Sequence, residues 1–283
     1  MSGGKNQIDS LASLEKVVID LGNEFGKEAM WWRGQALTSW PLKPKVYREP
    51  PKKDGEKNKK YIEHALINHF QMRALGRLGH RPRPWSDLEW MILAQHYGLP
   101  TRLLDWTENP LIALYFAVFD KSYETDIVES CLWALSPKML NVQESNPGNP
   151  NEAQDGLIFS DEPVVRAMVM QAFGVKCKTI IKTTRIRRSA MPKVIALASG
   201  ENDERIVAQS GRFTIHACDS ALEDFERKDK YLRKFIIPKE AKEHLQQRLH
   251  QLGIRCWNVF PDLQLLAEGL NRSEFTSINS GVT

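Results

Sequence analysis

The spacing of apolar residues predicts several α-helices, most of them in the first half of the chain. Between Ile8 and Phe25, apolar side chains recur every three or four residues, which is the period of a helix with one buried face. The same pattern predicts helices over residues 61–75, 110–119 and 239–252. A last short helix is predicted to start at Phe260.

Shorter apolar runs, most of them in the second half, predict β-strands. Residues 29–33 are expected to be extended, and the later candidates are residues 131–135, 180–186, 194–198, part of 205–216, and 232–237. The predicted helices come mostly first and the predicted strands mostly later. This order favours an α+β fold with mixed or antiparallel strands over a doubly wound α/β fold.

A polar segment between two predicted helices is the most unusual part of the chain. It lies within Gln95–Ala117, after a helix whose start is marked by the capping-box pair Ser86 and Glu89. Asn109 and the proline after it mark the start of the next helix. Core packing does not require the polar and aromatic residues in between, which are Thr101, Arg102, Asp105, Trp106 and Thr107. Loops held between rigid elements concentrate functional residues, so we expect a site here.

Composition narrows the class of protein. The chain has 283 residues and a net charge of +4, and we expect one domain over 1–283, with a core over 31–270 and an N-terminal helix within 1–30. Residues 163–200 contain no Asp or Glu but eight Lys or Arg, and residues 43–60 hold a second basic cluster. Each cluster could contact phosphates, or it could be an ordinary solvated face.

Several classes of protein are excluded by missing patterns. The four cysteines lie far apart, so we expect no metal site and reduced thiols in a cytoplasmic protein. No apolar stretch reaches the roughly 20 residues of a membrane span, so no membrane partner is expected. The absence of GxxxxGK[ST], GxGxxG, GxSxG and HExxH excludes P-loop NTPases, Rossmann dehydrogenases, typical serine hydrolases and zincins.

Three segments carry residues suited to a binding or catalytic site. In the first, WWRGQ, Arg33 can grip a phosphate or carboxylate, or it can pair with a structural carboxylate. In the second, Asp105 offers an acceptor between two threonine hydroxyls, unless it only caps a turn while Trp106 and Tyr97 pack in the core. In the third, RIVAQSGRFTIH, Gln209 can donate and accept hydrogen bonds, although a plain strand with a turn fits as well.

With these segments identified, the chain resembles the FRG-domain family. The naming motif is Trp32-Arg33-Gly34-Gln35, and the further matching blocks are QHYGLPTRLLDWTENPLIALYFA, RIVAQSGRFT and GIRCWNVFPDLQLLAEGL. The resemblance runs from about Trp31 to Leu270. The order of the three segments is also similar to that of ADP-ribosyltransferases, which implies a related fold with a central cleft and NAD as the substrate.

This resemblance implies a role for each matching residue. Arg33 matches the first transferase motif, Asp105 to Thr107 and the helix after them match the second, and Gln209 to Gly211 match the third. The implied catalytic residues are Arg33, Asp105, Thr107 and Gln209. The implied NAD-binding residues are Arg33, Gly34, Gln35, His96, Tyr97, Thr101, Arg102, Trp106 and Tyr115. Gly211 stands where the transferases have their final glutamate. Either the register of this alignment is off, or Glu204, Glu108 or Asp105 acts instead, or catalysis has been lost.

Two principal functions follow, with a third class beside them. The first is an NAD-dependent ADP-ribosyltransferase that modifies a macromolecule such as single-stranded RNA, as a toxin or phage-defence effector. The second is a non-catalytic sensor module that binds a nucleotide or nucleic acid. The third is an inert interaction protein, for instance a toxin held by an antitoxin protein.

Overall fold

The computed structural model describes residues 6–26, 28–50, 60–77, 85–119, 128–144, 158–159, 161–185, 191–198, 204–260 and 266–267. The α-helices in these ranges are α1 (Leu11–Phe25), α2 (Glu63–Ala74), α3 (Asp87–His96), α4 (Pro110–Val118), α5 (Pro137–Glu144), α6 (Pro163–Ala172), α7 (Cys177–Thr184), α8 (Glu204–Ala208), α9 (Lys239–Gln251) and α10 (Cys256–Val259). The strands are β1 (Trp31–Gln35), β2 (Leu103–Thr107), β3 (Ser130–Leu135), β4 (Ile158–Phe159), β5 (Val194–Ala198), β6 (Gly211–His216) and β7 (Leu232–Ile237).

These strands form one seven-stranded sheet in the order β4-β5-β6-β2-β1-β3-β7. Strand β4 pairs with β5 in parallel, and every other neighbouring pair is antiparallel. The predicted α+β class is therefore confirmed. None of the helices in the described ranges is long and apolar enough to cross a membrane.

Two groups of helices cover the same face of the sheet. Over β1, β3 and β7, helices α1, α4 and α9 bury a cluster that includes Trp32 and Leu132. Over β2, β5 and β6, helices α2, α3 and α6 bury a second cluster that includes Leu103 and Phe213. Trp32 lies directly opposite Thr107, and Thr107 shares its face of β2 with Leu103, so both clusters lie on one side. The opposite face is covered by one continuous cluster that includes Trp31.

Most of the elements predicted from apolar spacing are confirmed, and one is wrong. The four helices correspond to α1, α2, α4 and α9, and four of the later strands correspond to β3, β5, β6 and β7. The strand predicted over 180–186 is instead part of α7. Ile180 and Thr184 are both buried and lie four residues apart, which is a helical period hidden in a run of β-branched residues. The helix predicted to start at Phe260 lies largely outside the described residues.

Candidate functional site

The central sheet opens between β1 and β2. Only Trp32 and Thr107 are paired between these strands, whereas β1 pairs with β3 along its whole length and β2 pairs likewise with β6. From this one pair the two strands diverge, so the backbone edges of Arg33 and Asp105 face a gap. Unpaired backbone groups inside a protein need other partners, and this gap is where side chains and a ligand can supply them.

Arg33 bridges the opening between the strands. Its Nη1 atom donates to the backbone carbonyl of Asp105 at 2.7 Å and lies 4.0 Å from that residue's Oδ2 atom. About a fifth of the side chain surface remains accessible, and the buried Nε atom has no partner among the described residues. Burial lowers the pKa of Arg33 from 12.5 to about 10, while Asp105 opposes the shift. The guanidinium is therefore anchored on β2 and charged at neutral pH. Its Nε–H group has no hydrogen-bond partner among the described residues.

Asp105 is held by a side-chain relay from α3. Gln95 Nε2 donates to Asp105 Oδ1 at 2.6 Å, and the Thr101 hydroxyl donates to Gln95 Oε1. Thr101 is 1% exposed, so it fixes the amide from within the core. The Asp105 side chain itself remains 59% exposed. The relay orients a carboxylate that is still open to a ligand.

Arg33 and Asp105 line one cavity of about 230 Å³ at this opening. His96 and Gln95 come from α3, and the turn and strand around Gln209 close the other side. Apolar walls are provided by Ile92, Ala113, Phe116, Ile206 and Phe213. Parts of all three predicted segments therefore meet, although they are far apart in sequence.

Gly34 lets α4 lie directly against β1. A Cβ atom at this position would lie 1.9 Å from the carbonyl oxygen of Ala113 and 2.7 Å from the amide nitrogen of Ala117. Gly34 also borders the cavity. However, the space that its missing side chain leaves is filled by helix backbone. The glycine thus allows α4 to pack closely against β1.

Thr107 and Gln209 tie the third segment to β2. The Thr107 hydroxyl donates to the backbone carbonyl of Gln209 at 2.5 Å and accepts from the amide of Asn109 at 3.0 Å. Gln209 Nε2 donates to the carbonyl of Val259 in α10 at 3.0 Å. Both polar side chains border the cavity, but these bonds make them positioning groups rather than free reactants.

Arg212 is a cavity residue that the sequence reasoning missed. Its Nε atom donates to Glu108 Oε1 at 2.8 Å, and its Nη1 atom donates to the carbonyl of Gly211 at 3.0 Å. The only sequence signal was its place directly after the Gln-Ser-Gly turn. Because Glu108 is engaged by this arginine, it is less available as a catalytic acid than Asp105. The side chain of Glu204 is outside the described residues.

Arg102 is engaged in a buried ion pair with Glu63. It is 7% exposed and lies outside the cavity lining. Its Nε and Nη2 atoms donate to Glu63 Oε2 at 2.9 and 2.7 Å, and its Nη1 atom donates to Gln171 Oε1 at 2.9 Å. The Arg102 guanidinium is bonded at all three nitrogens and connects residues of α2 and α6 to the start of β2.

Tyr115 is buried and does not line the cavity that holds Arg33 and Asp105. It is 7% exposed, its ring stacks on Phe119 at 4.6 Å between centroids, and burial raises the pKa of its hydroxyl. It faces the helical cluster of α1, α4 and α9. Helix α4 borders the cavity through Ala113 and Phe116 instead.

Three further residues that were predicted to bind NAD are buried beside the cavity or below it in the core. Gln35 is 2% exposed and accepts from Trp133 Nε1 at 2.7 Å, so it lies in the core on the opposite face. Trp106 borders the cavity, but its indole is buried and donates to Thr214 Oγ1 at 3.0 Å. The Thr101 hydroxyl donates to Gln95 and accepts from the amide of Leu103. Of these three residues, Trp106 is the one that borders the cavity.

His96 and Tyr97 separate at the end of α3. His96 lines the cavity, whereas the 62% exposed Tyr97 lines a different groove, on the side of α2. Their rings still lie 4.9 Å apart between centroids. Within the described ranges, no three His, Cys, Asp or Glu residues are grouped in a way that could hold a metal ion.

Comparison with known proteins gives one match. No curated protein and no solved structure shows significant similarity to this chain. The model of the FRG domain family matches residues 28–126, about a third of the sequence. This range contains β1, β2 and α4, and hence Arg33, Asp105 and the helix packed on Gly34. The segment with the FRG motif is therefore the one that forms the opening in the sheet.

Proposed function

We propose that this protein is an NAD-dependent ADP-ribosyltransferase that uses the cleft between β1 and β2 to modify a macromolecule. One observation carries the proposal: the divergence of the two strands brings Arg33 and Asp105 into one cavity with His96 and Gln209. An anchored guanidinium next to an open carboxylate suits a substrate that carries phosphates and develops positive charge. Both features belong to NAD cleavage.

The size and walls of the cavity fit part of NAD. Pockets that hold a whole drug-sized molecule span roughly 300–1,000 Å³, so a cavity of about 230 Å³ would enclose one end of a dinucleotide. A planar nicotinamide ring would contact the apolar side chains of Ile92, Phe116 and Phe213. The pyrophosphate would then lie at the mouth, within reach of Arg33.

The reaction divides between these groups. The bond between nicotinamide nitrogen and ribose C1′ breaks with its electron pair going to nicotinamide, and C1′ becomes cationic. Asp105 stabilises this oxocarbenium-like centre, and Arg33 holds the phosphates. An acceptor oxygen or nitrogen then gives a lone pair to C1′ and loses its proton to water or to Asp105. Placement and electrostatics supply most of the rate enhancement in such a scheme.

We assign the role of the catalytic carboxylate to Asp105, because Gly211 has no side chain. Gln209 is not a carboxylate, and its amide already donates to Val259. Glu108 is engaged by Arg212. Among the described residues that line the cavity, Asp105 is the carboxylate present, and more than half of its side chain surface is accessible.

Radiolabelled NAD provides the direct test. The protein is incubated with the label and with RNA, DNA or cell lysate, and both label transfer and nicotinamide release are measured. We expect Asp105→Asn and Arg33→Gln to reduce both rates by about 100-fold or more, the usual cost of removing one preorganised electrostatic group. Asp20→Asn, an exposed carboxylate on α1 away from the cavity, serves as the matched control.

The outcome separates the possibilities. If wild-type protein releases no nicotinamide and labels no macromolecule, the transferase proposal fails. Full activity in Asp105→Asn would reject the assignment of the acid. In a growth assay, expression of the wild type is expected to arrest cells and Asp105→Asn to relieve the arrest, as a toxin or defence effector requires.

A second function is favoured by the bonding of Thr107 and Gln209. Because both side chains are engaged with protein atoms, the cavity offers few free reactive groups, as in a module that binds a nucleotide without turnover. Such a module would show NAD-dependent stabilisation and a calorimetric binding signal without nicotinamide release. Arg33→Gln would abolish that signal.

A further inference from the structure

A second concavity lies beside the cleft, between α2 and the end of α3. On its α2 side it is lined by one stripe of the helix and the turn after it, at positions 66, 69, 70, 73, 74 and 77. These positions follow the 3.6-residue period, so they form a continuous surface. Tyr97 and Leu99 form the other wall, and the groove has a volume of about 760 Å³.

The floor of this groove is aromatic and accessible. Tyr97 is 62% exposed, and its ring lies 6.1 Å from that of Phe70 between centroids. Phe70 is in turn supported edge-on by Trp90 at 6.4 Å. The exposed ring of Tyr97 on this apolar base offers a flat face for stacking.

The rim of the groove is positively charged. Arg73 Nη1 lies 3.0 Å from His69 Nδ1, and Arg77 Nη1 donates to the carbonyl of Arg73 at 2.5 Å. Neither arginine forms an ion pair with a carboxylate in the described part of the chain. By contrast, Arg102 forms an ion pair with Glu63, the first residue of α2. The groove therefore presents cationic groups along the edge of an aromatic floor.

The groove and the cleft share a wall. His96 lines the cleft, Tyr97 lines the groove, and their rings are 4.9 Å apart. Lys45 Nζ donates to the carbonyl of Gly98 at 2.7 Å, which places another cation beside this wall. A chain bound in the groove would have its next unit beside the cavity of Arg33 and Asp105.

We propose that this groove binds a single-stranded nucleic acid, with an unpaired base stacked on Tyr97 and backbone phosphates held by Arg73 and Arg77. Unpaired bases expose π-faces, and the adjacent phosphates match the positive rim. A duplex hides those faces, and the Asp and Glu side chains of an acidic peptide have no aromatic face to stack on Tyr97. The inference rests on the proposed function only in making the bound strand the acceptor of ADP-ribose. Binding itself needs no NAD.

Binding to the groove is tested on the full chain, without NAD, by fluorescence anisotropy of labelled 12-nucleotide oligonucleotides. Single-stranded RNA and DNA of one mixed sequence are compared with the duplex and with an acidic peptide. Tyr97→Ala should weaken single-strand binding by about tenfold or more, whereas Tyr97→Phe should remain within about twofold because the ring is kept. Arg73→Gln with Arg77→Gln should reduce the dependence of log affinity on log salt by about 1.4, or about 0.7 for each phosphate that is no longer neutralised.

Two lysine residues outside the groove serve as a control for non-specific electrostatic attraction. Lys178 and Lys182 on α7 are exposed and also lie four residues apart, within the basic region 163–200. Replacing both by Gln should leave single-strand affinity nearly unchanged. An equal loss in this control would locate binding on the basic region and overturn the proposal, as would preference for the duplex or the peptide. Undiminished binding by Tyr97→Ala would also overturn it.

The two proposals can fail separately. Oligonucleotide binding that depends on Tyr97, combined with no NAD turnover, would support the groove and reject the transferase. NAD turnover without oligonucleotide binding would do the reverse. Comparing the RNA and DNA arms identifies which strand is preferred.

Discussion

Gly34→Ala tests whether the glycine of the FRG motif is required for packing. The added Cβ would lie 1.9 Å from the Ala113 carbonyl oxygen and 2.7 Å from the Ala117 amide nitrogen, which are backbone atoms in the middle of α4. To restore an ordinary separation, the helix would have to move by about 1.5 Å, because neither atom can rotate away as a side chain would. Overpacking a core typically costs about 1–3 kcal/mol, so we expect about 3 kcal/mol or more here.

Chemical denaturation of Gly34→Ala and of Gly22→Ala provides the comparison. Gly22 lies inside α1, and a Cβ there would meet no atom within 4 Å, so alanine should raise the free energy of unfolding by about 0.5–1 kcal/mol. The two variants thus make the same chemical change with opposite expected signs. A Gly34→Ala protein as stable as the wild type would refute the packing account. The space beside Gly34 would then be available to a ligand after all.

Three further predictions concern buried polar residues. Glu63→Gln leaves Arg102 buried without its carboxylate and should cost about 3–5 kcal/mol in urea denaturation; a loss below about 1 kcal/mol would contradict a structural role. Burial lowers the pKa of His216 from 6.5 to about 3, so between these values the unfolded chain binds one more proton. Stability should therefore fall with falling pH, with His216 contributing up to about 1.4 kcal/mol per pH unit, and His216→Gln should remove that contribution to the slope. Thr107→Val should cost about 1–3 kcal/mol by leaving two backbone groups without partners, whereas Thr107→Ser should cost less than half of that.

The sequence predicted secondary structure best where helix-capping residues and the spacing of apolar residues indicated the same element. The capping box at Ser86 and Glu89 and the N-cap at Asn109 are both present, and they fix the helices on either side of the polar segment. The region after Pro163 was harder to predict. There α6 was missed and α7 was assigned as a strand, because β-branched residues favour strands locally while tertiary burial decides the outcome.

The site was predicted as segments but not as individual side chains. Sequence showed that the regions of Arg33, Asp105 and Gln209 carry unusual polar groups, and the cavity brings these regions together. The sequence could not show which hydrogen-bond donors already have partners within the protein. Arg102 looks as accessible in sequence as Arg33, yet a buried partner 39 residues away engages it. Such long-range pairing follows from the fold and leaves no local pattern.

The contrast between these two arginines bears on the chemistry of the cleft. Arg102 binds the carboxylate of Glu63 directly, so the two charges cancel. Arg33 instead donates to the backbone carbonyl of Asp105, and its Nη1 atom remains 4.0 Å from the carboxylate. Gln95 orients that carboxylate with a neutral amide, which leaves its charge intact. A ring entering the cavity would exclude water and strengthen the effect of both remaining charges. The guanidinium and the carboxylate at the opening between β1 and β2 thus form a looser ion pair than Arg102 and Glu63, with 4.0 Å against 2.7 Å between the nitrogen and oxygen atoms.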